Sequence, residues 1–419
     1  MKRWIAILLA MCLVWALAGC HKEAEETVPT QPSTEPVTEP IAPKTQVGLC
    51  LPEKTAQWET CAGQLQSRLE TLDYETRVSY GGGSAQEQAK QVQALLGEGA
   101  ELLVVASVDA HTLEQELSAA ANAGVPVVTL DRQLLHGEGI SATVTFDYVS
   151  LGITMGYQIA EAKQLATARE EKRSYTIEFL MGAADDQNAV LLHQGIMAVL
   201  QPYLDSGVLI SKTGRVTLED TYVQRWDEEE ARNKFSQYLT VYGDTQPQIV
   251  CSASDTLAAG CIAALTEAGC TAENWPVITG IGGDKDAVRN ILDGKQAYTV
   301  YRDTGMLDDR CARIVHSLLT DAPLPEQDSS AVTGTDQAPS YVCPGVQVDG
   351  IKGIGKLLDY GVSEKELALT QGDLEKINAA LEETQPPETQ PPETTAPTQP
   401  ETTAPTQPET TAPAPTEQK

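Results

Sequence analysis

Between about Gln46 and Glu382 the chain alternates short apolar runs with amphipathic stretches of helical length, and this alternation restricts the fold more than any other feature. "VGLCL" precedes "AQWETCAGQLQSRLETL", "ETRVSY" precedes "AQEQAKQVQALLGEG", "ELLVVAS" precedes "DAHTLEQELSAAANAG", and "VPVVTL" follows. Strands that read as continuous apolar runs are buried on both faces, and a helix after each supplies the cover, so a parallel sheet is expected. The pattern restarts in "YTIEFLM", "GVLISKTG", "PQIVCSA" and "PVITGI", each followed by a helix-length segment. The expected class is therefore α/β with two Rossmann-like, doubly wound units. A body of about 340 residues also exceeds what one hydrophobic core usually supports.

The two ends are different in kind. "MKRWIAILLAMCLVWALAGC" has Lys2 and Arg3, an apolar run and then small residues ending in Cys20, the layout of an export signal. The run is short for a membrane span, which needs roughly 20 apolar residues. "Leu17-Ala18-Gly19-Cys20" resembles the lipobox of bacterial lipoproteins, which implies removal of residues 1–19 and lipidation of Cys20. Residues 20–45 and 383–419 are Pro, Thr and Glu with almost nothing to bury, and read as disordered tethers. The second contains the repeat "TAPTQPET", whose prolines and like charges favour an extended spacer.

A net charge of −30 without a cluster of Lys and Arg argues against nucleic acid. Once Cys12 leaves with the signal and Cys20 is assigned to lipid, Cys50, Cys61, Cys251, Cys261, Cys270, Cys311 and Cys343 remain. An odd set cannot pair completely, and most of these sit in apolar runs, where a free Cys behaves as a small buried hydrophobe. There is no CxxC and no His at a matching offset, so neither a metal nor a cofactor is expected.

The polar residues gather where strands end. In a doubly wound sheet, ligands bind outside the carboxyl ends of the strands. "IEFLM" runs into Asp185, Asp186, Gln187 and Asn188, four polar residues where one helix cap would suffice, so a crevice is expected; Asp186 or Asn188 as an ordinary N-cap stays open. Asp131 and Arg132 follow "VPVVTL", Ser254 and Asp255 follow "IVCSA", Asp284 follows "PVITGI", and Arg302 ends "AYTVYR". Trp58 follows the first strand, and Trp226 lies in "YVQRWDEEEA" after an expected strand end and loop. Carboxylates, amides and guanidinium groups make charge-assisted hydrogen bonds to hydroxyls, and flat indoles stack on the C–H face of a pyranose. Their recurrence at strand ends suits a sugar site, although Trp58 as a core residue and Asp131–Arg132 as a local ion pair remain open.

Five segments in order, "FLMGAADDQNAVLLHQGIMAVLQPYLDSG" above all, with "VPVVTLDRQL", "TVTFDYVSLG", "SDTLAAGCIAALTEAG" and "AYTVYRD", resemble sugar-binding proteins of bacterial ABC importers with the type I periplasmic-binding fold, nearest the D-xylose-binding group. The resemblance implies two lobes joined by three crossings near "TVTFD", "AYTVY" and "YVCPG", with sugar held between them. It assigns residues 46–145 and 303–341 to an N-terminal lobe, and 146–302 and 342–382 to a C-terminal lobe. It also implies a ligand set of Trp58, Asp131, Arg132, Asp186, Asn188 and Trp226. The sequence departs from that group at Gln57 (Arg there), Ser254 (Asn), Gly282 (Asp) and Arg302 (Lys), with Asp284 or Asp255 as replacements for the missing carboxylate. Arg302 offers a planar fork of donors and needs more room than Lys, so the departures bear on the ligand more than on the fold, and a larger, modified or acidic ligand stays open.

The function expected is an exported solute-binding lipoprotein on the outer face of the cell membrane. As a monomer it would capture a monosaccharide, xylose-like or related, by cleft closure and deliver it to an ABC permease. The alternative is the same module presenting ligand to a membrane receptor or kinase. An enzyme is disfavoured: there is no GxSxG elbow, no P-loop Lys-Ser/Thr in "YGGGSAQEQ" or "GIGGDKD", and the five histidines are isolated. A transcription repressor is disfavoured by the export signal and by the missing basic headpiece.

Overall fold

In a computed structural model, residues 44–135, 139–327 and 338–382 are described; Cys20, the signal, nearly all of the N-terminal tether and the repeat tail lie outside them. The first half contributes β1 (Gln46–Leu51), α1 (Ala56–Thr71), β2 (Glu75–Tyr80), α2 (Ala85–Gly97), β3 (Leu102–Val105), α3 (Glu114–Asn122), β4 (Val127–Leu130) and β5 (Ile140–Phe146). Next come α4 (Tyr148–Ala162), α5 (Leu165–Glu170), β6 (Tyr175–Leu180), α6 (Gln187–Asp205), β7 (Leu209–Ile210), α7 (Leu218–Thr221), α8 (Glu228–Tyr242), β8 (Ile249–Ser252), α9 (Asp255–Glu267), β9 (Val277–Ile278), α10 (Lys285–Leu292) and β10 (Tyr298–Arg302). The chain then forms α11 (Thr304–Leu319), β11 (Ser340–Cys343), β12 (Gly345–Asp349), α12 (Gly350–Tyr360) and α13 (Gln371–Glu382).

These elements build two parallel sheets, as the doubly wound pattern predicts. The first has six strands in the order β11-β5-β4-β3-β1-β2, and the second has four in the order β7-β6-β8-β9. Every pairing within them is parallel. The second sheet continues through a bridge between Gly282 and Tyr301 into the antiparallel pair β10–β12. In the first lobe, α1 and α11 share one apolar cluster through Trp58, Leu65, Leu307 and Cys311, while Val92, Leu95 and Leu117 of α2 and α3 cover the opposite face. The chain passes between the two sheets after Phe146, after Arg302 and through Pro344.

Two expected strands are shorter than their sequences suggested, and "PVITGI" pairs only at Val277 and Ile278. "GVLISKTG" pairs only at Leu209 and Ile210, and the reason lies in β6. Glu178, fully buried, accepts from Tyr242 Oη at 2.8 Å, Ser211 Oγ at 3.1 Å, Thr213 N at 3.2 Å and Thr213 Oγ1 at 2.6 Å. A buried carboxylate needs such donors, and the chain leaves the sheet at Ser211 to provide them. The stretch before Trp226 carries the short helix α7 and one bridge, Met181 to Tyr222, beyond the end of β6.

The seven cysteines among the described residues are all free, and all but Cys270 are buried. They are the small apolar residues that their sequence context suggests.

In the second lobe α4 and α6 cross on glycine. An ideal Cβ on Gly152 would sit 2.2 Å from the Leu192 carbonyl oxygen, and one on Gly195 would sit 2.2 Å from that of Val149. Backbone therefore touches backbone at this seam.

Candidate functional site

The carboxyl ends of β4, β6 and β10 converge between the two sheets. β4 ends in Leu130, and the next two residues leave it in opposite roles. Asp131 is 7% exposed, has a left-handed φ of 56°, and turns its carboxylate toward the second lobe. Its Oδ1 accepts from Tyr148 Oη at 2.8 Å and from Asn188 Nδ2 at 3.5 Å; its Oδ2 lies 3.7 Å from Arg302 Nη1. Arg302 Nη1 also donates to Tyr148 Oη at 2.6 Å, and its guanidinium lies over the rings of Phe146 and Tyr148. Asp131 and Arg132 do not form the local pair that adjacency allowed: Arg132 Nε reaches Asp186 Oδ2 at 3.2 Å instead.

Asp186 resolves the choice between crevice and cap, because it does both. Its Oδ1 accepts from the Asn188 N–H at 3.0 Å, capping α6, while Oδ2 faces the cleft and takes Arg132 and the Trp226 indole N–H, the latter at 3.1 Å. Burial raises its carboxyl above the usual range; Arg132, the Asn188 N–H and Trp226 pull it back, and Asp131 adds to the rise. Burial likewise holds the Tyr148 hydroxyl well above its ordinary value despite Arg302, so it stays a neutral donor to Asp131. Burial opposes the charge on Arg302, but Tyr148 and Asp131 outweigh it and leave the guanidinium more basic than usual.

Trp226 is held by shape as well. Arg225 and Trp226 both adopt left-handed φ angles, 54° and 58°, which cost of order 1–3 kcal/mol each and collect at functional sites. The indole lies against the backbone of Gly182, where a Cβ would come within 2.0 Å of the ring.

The remaining candidates fall elsewhere. Trp58 is 5% exposed, packs into the first-lobe core, and has the Arg132 guanidinium 5.7 Å above its ring. Gln57 is exposed in the first turn of α1. Ser254 is spent as the cap of α9, accepting from Leu257 N at 3.2 Å. Asp284 is exposed and caps α10 through Asp286 N and Ala287 N. Asp255 is buried behind the site, accepting from Gly283 N, Gln296 Nε2 and Thr299 Oγ1 at 2.6, 2.6 and 2.8 Å. It fills the space beside Gly282, where a Cβ would meet its Oδ2 at 2.8 Å. A carboxylate thus stands next to the glycine, but faces inward.

Sequence reasoning placed Asp185 in the expected crevice without a role, and passed over Tyr148, Phe146 and the loop residue Gln224. Tyr148 stood in the quoted stretch "TVTFDYVSLG", read only as a crossing; an aromatic hydroxyl directly after a strand end was the available signal. A small cavity at the mouth is lined from both lobes by Glu53, Gly83, Arg132, Asp185, Gln224 and Arg225. Among the described residues, no group of His, Cys, Asp and Glu could hold a metal ion.

Two buried polar atoms in the cleft have no hydrogen-bond partner: Asn188 Oδ1, an acceptor, and Arg302 Nε, a donor. Leaving such a group unpaired costs about 1–3 kcal/mol, so the site is arranged for something that both donates and accepts.

Comparison with known proteins agrees with this architecture. The model of the periplasmic binding protein domain matches residues 47–323. A multiple sugar-binding periplasmic protein of Azospirillum brasilense is 29% identical over 76% of this chain and 89% of its own length. The D-xylose-binding periplasmic protein of Escherichia coli is 25% identical over 74% and 88%. A solved ABC transporter solute-binding protein from Clostridium phytofermentans, with bound β-D-glucose, superposes with a TM-score of 0.71 at 29% identity, over 79% of this chain and 100% of that one. These relatives are binding proteins and not enzymes, and the chain belongs to the periplasmic binding protein family.

Proposed function

We propose that this protein captures a neutral monosaccharide between its lobes and delivers it to an ABC importer, held at the outer face of the cell membrane by a lipid on Cys20. The observation that carries the ligand class is the unpartnered pair, Asn188 Oδ1 and Arg302 Nε, beside carboxylates and an indole. A sugar hydroxyl donates and accepts at once, so one hydroxyl or two vicinal ones would complete both atoms. A neutral ligand is supported by the charge balance of the converging set: Asp131 faces Arg302 and Asp186 faces Arg132, so neither of these guanidinium groups is left over for a carboxylate ligand, and Arg225 lies at the mouth. This favours an aldose such as xylose or glucose over a uronic acid, in line with the ligands named for the relatives above.

Asp131, Arg132, Asp186, Asn188, Trp226 and Arg302 are the proposed contacts. Trp58 sets the first-lobe wall through Arg132, and Gln57, Ser254 and Asp284 lie outside the converging set. In this reading the lobes divide as residues 46–146 with 303–343 and 147–302 with 344–382, shifted from the expected limits at 145 and 341 because Val342 and Cys343 still pair with Thr145 and Phe146 in the first sheet, and the three passages between the sheets serve as the hinge. Sugar bound to both lobes favours the closed form, which the permease reads.

A thermal-shift screen of the chain from residue 21, without lipid, against pentoses, hexoses and their uronic acids tests the ligand class, since a bound ligand raises Tm by mass action. Calorimetry on a hit should show binding collapse in Asp131→Ala and Trp226→Ala. A folded protein that responds to no neutral sugar refutes the assignment. Labelling with a radioactive fatty acid, lost in Cys20→Ala, tests the anchor.

A further inference from the structure

The two lobes also touch directly. Asp185, in the loop after β6 of the second lobe, accepts through its backbone carbonyl from the N–H of Ala110 in the first lobe, at 3.0 Å. Each side of this contact is held from within its own lobe. Ala110 is 1% exposed, and its carbonyl accepts from Leu135 N at 2.9 Å. The flanking Val108 N–H is fixed by Gln88 Oε1 at 2.8 Å, and the His111 N–H by Asp109 Oδ1 at 2.8 Å. Across the cleft, the Asp185 carboxylate accepts from Gln224 Nε2 at 2.8 Å. Gln224 is itself fixed, because Val223 N donates to the Met181 carbonyl at 2.9 Å and Met181 N to that of Thr221 at 3.1 Å.

We propose that Gln224 is a positioning residue for closure: by holding the side chain of Asp185 it sets the Asp185 carbonyl on the Ala110 N–H, a latch between the lobes that does not pass through the ligand. The latch rests on the binding reading for its consequence, not for its existence. A contact made only in the closed form slows reopening whatever sugar lies inside, so it lengthens the residence of every ligand by one common factor and leaves the preference among them unchanged. One net hydrogen bond corresponds to about a two- to twelvefold change in a rate or equilibrium constant.

The test uses the full chain from residue 21 and Gln224→Ala beside Gln224→Glu, which keeps the size but sets a carboxylate against Asp185. Hydrogen exchange of sugar-free protein should accelerate at the Ala110 amide in both variants, while the Val108 amide, bonded within its own lobe, keeps its protection. Dissociation of each sugar that binds should quicken by the same factor, about two- to twelvefold, with association rates unchanged. Unaltered exchange at Ala110 overturns the latch. So does a change in the ratio of affinities between two sugars, which would make Gln224 a ligand contact. If no sugar binds the wild-type chain, the exchange comparison still decides the latch while the sugar reading alone fails.

Discussion

Gly182→Ala places one methyl group where the indole of Trp226 now lies. The ideal Cβ would stand 2.0, 2.1 and 2.4 Å from Cζ2, Cη2 and Cε2 of the ring. Ordinary carbon contacts begin near 3.5 Å, so the ring must retreat by about 1.5 Å. Two restraints oppose a painless retreat. The backbone at Arg225 and Trp226 is already in left-handed conformations, and the indole N–H is bonded to Asp186 Oδ2 at 3.1 Å. A retreat of that size breaks this bond, a charge-assisted one worth about 1.5–3 kcal/mol, which corresponds to about a 10- to 150-fold loss of affinity for a ligand resting on the ring. Calorimetry with the best sugar, alongside Tm to confirm folding, measures it. A folded Gly182→Ala protein that binds within threefold of the wild type refutes the reasoning, because the indole would then not be the wall of the site.

Asp308, fully buried on α11 with Oδ2 unpartnered, is raised to about 7 chiefly by burial. A raised acid binds its proton in the folded state at pH values where the unfolded chain has lost it, so stability should fall as pH rises from about 4 to about 7, by up to ~1.4 kcal/mol per pH unit. Asp308→Asn should flatten the dependence of Tm on pH across that window and raise Tm at the upper end. Asp373 behaves oppositely. The bidentate Arg289, at 3.1 and 2.7 Å, and Thr370 hold its carboxyl well below the usual range. Its contribution is present at neutral pH and lost on acidification below about pH 4, so Arg289→Ala should lower Tm at about pH 7 more than at about pH 3. Gly152→Ala should cost at least about 1–3 kcal/mol of stability in chemical denaturation, because its Cβ meets backbone that cannot rotate away.

Much of the fold was legible because periodicity reports burial, and burial decides elements. "VGLCL" and "ELLVVAS" had to be interior strands, and α1 and α2 had to cover them. What periodicity could not show is how a buried Glu178 draws the chain out of β7, since its partners lie more than thirty positions away in sequence. The proposed site was legible where strand ends carried charge that converges between the sheets, as at Asp131, Arg132, Asp186 and Arg302. It was illegible where the contribution comes from backbone or from the absence of a side chain. Nothing in the letters "MGAADD" says that Gly182 exists to seat an indole forty-four positions on, or that the Asp185 carbonyl meets Ala110. Ser254 and Asp284 show the complementary ambiguity: a short polar residue between a strand and a helix is also the best N-cap, and in both places the side chain caps.

The glycine seam between α4 and α6 bears on how such a protein could change its taste in ligands. Tyr148 begins α4 four residues before Gly152, about 6 Å along the axis, and Asn188 stands in the first turn of α6, about 10 Å before Gly195. Two helices fused backbone to backbone move as a single plank, so the hydroxyl and the amide that grip Asp131 travel together and keep their spacing. Variation has little purchase there, because any side chain added to the seam displaces both grips at once. The rest of the site's rim is loop and single side chains: Arg132 on the first lobe, Arg225 and Trp226 on the second. A lineage of proteins built on this plan would retune its diet by rewriting that rim while the plank stays constant.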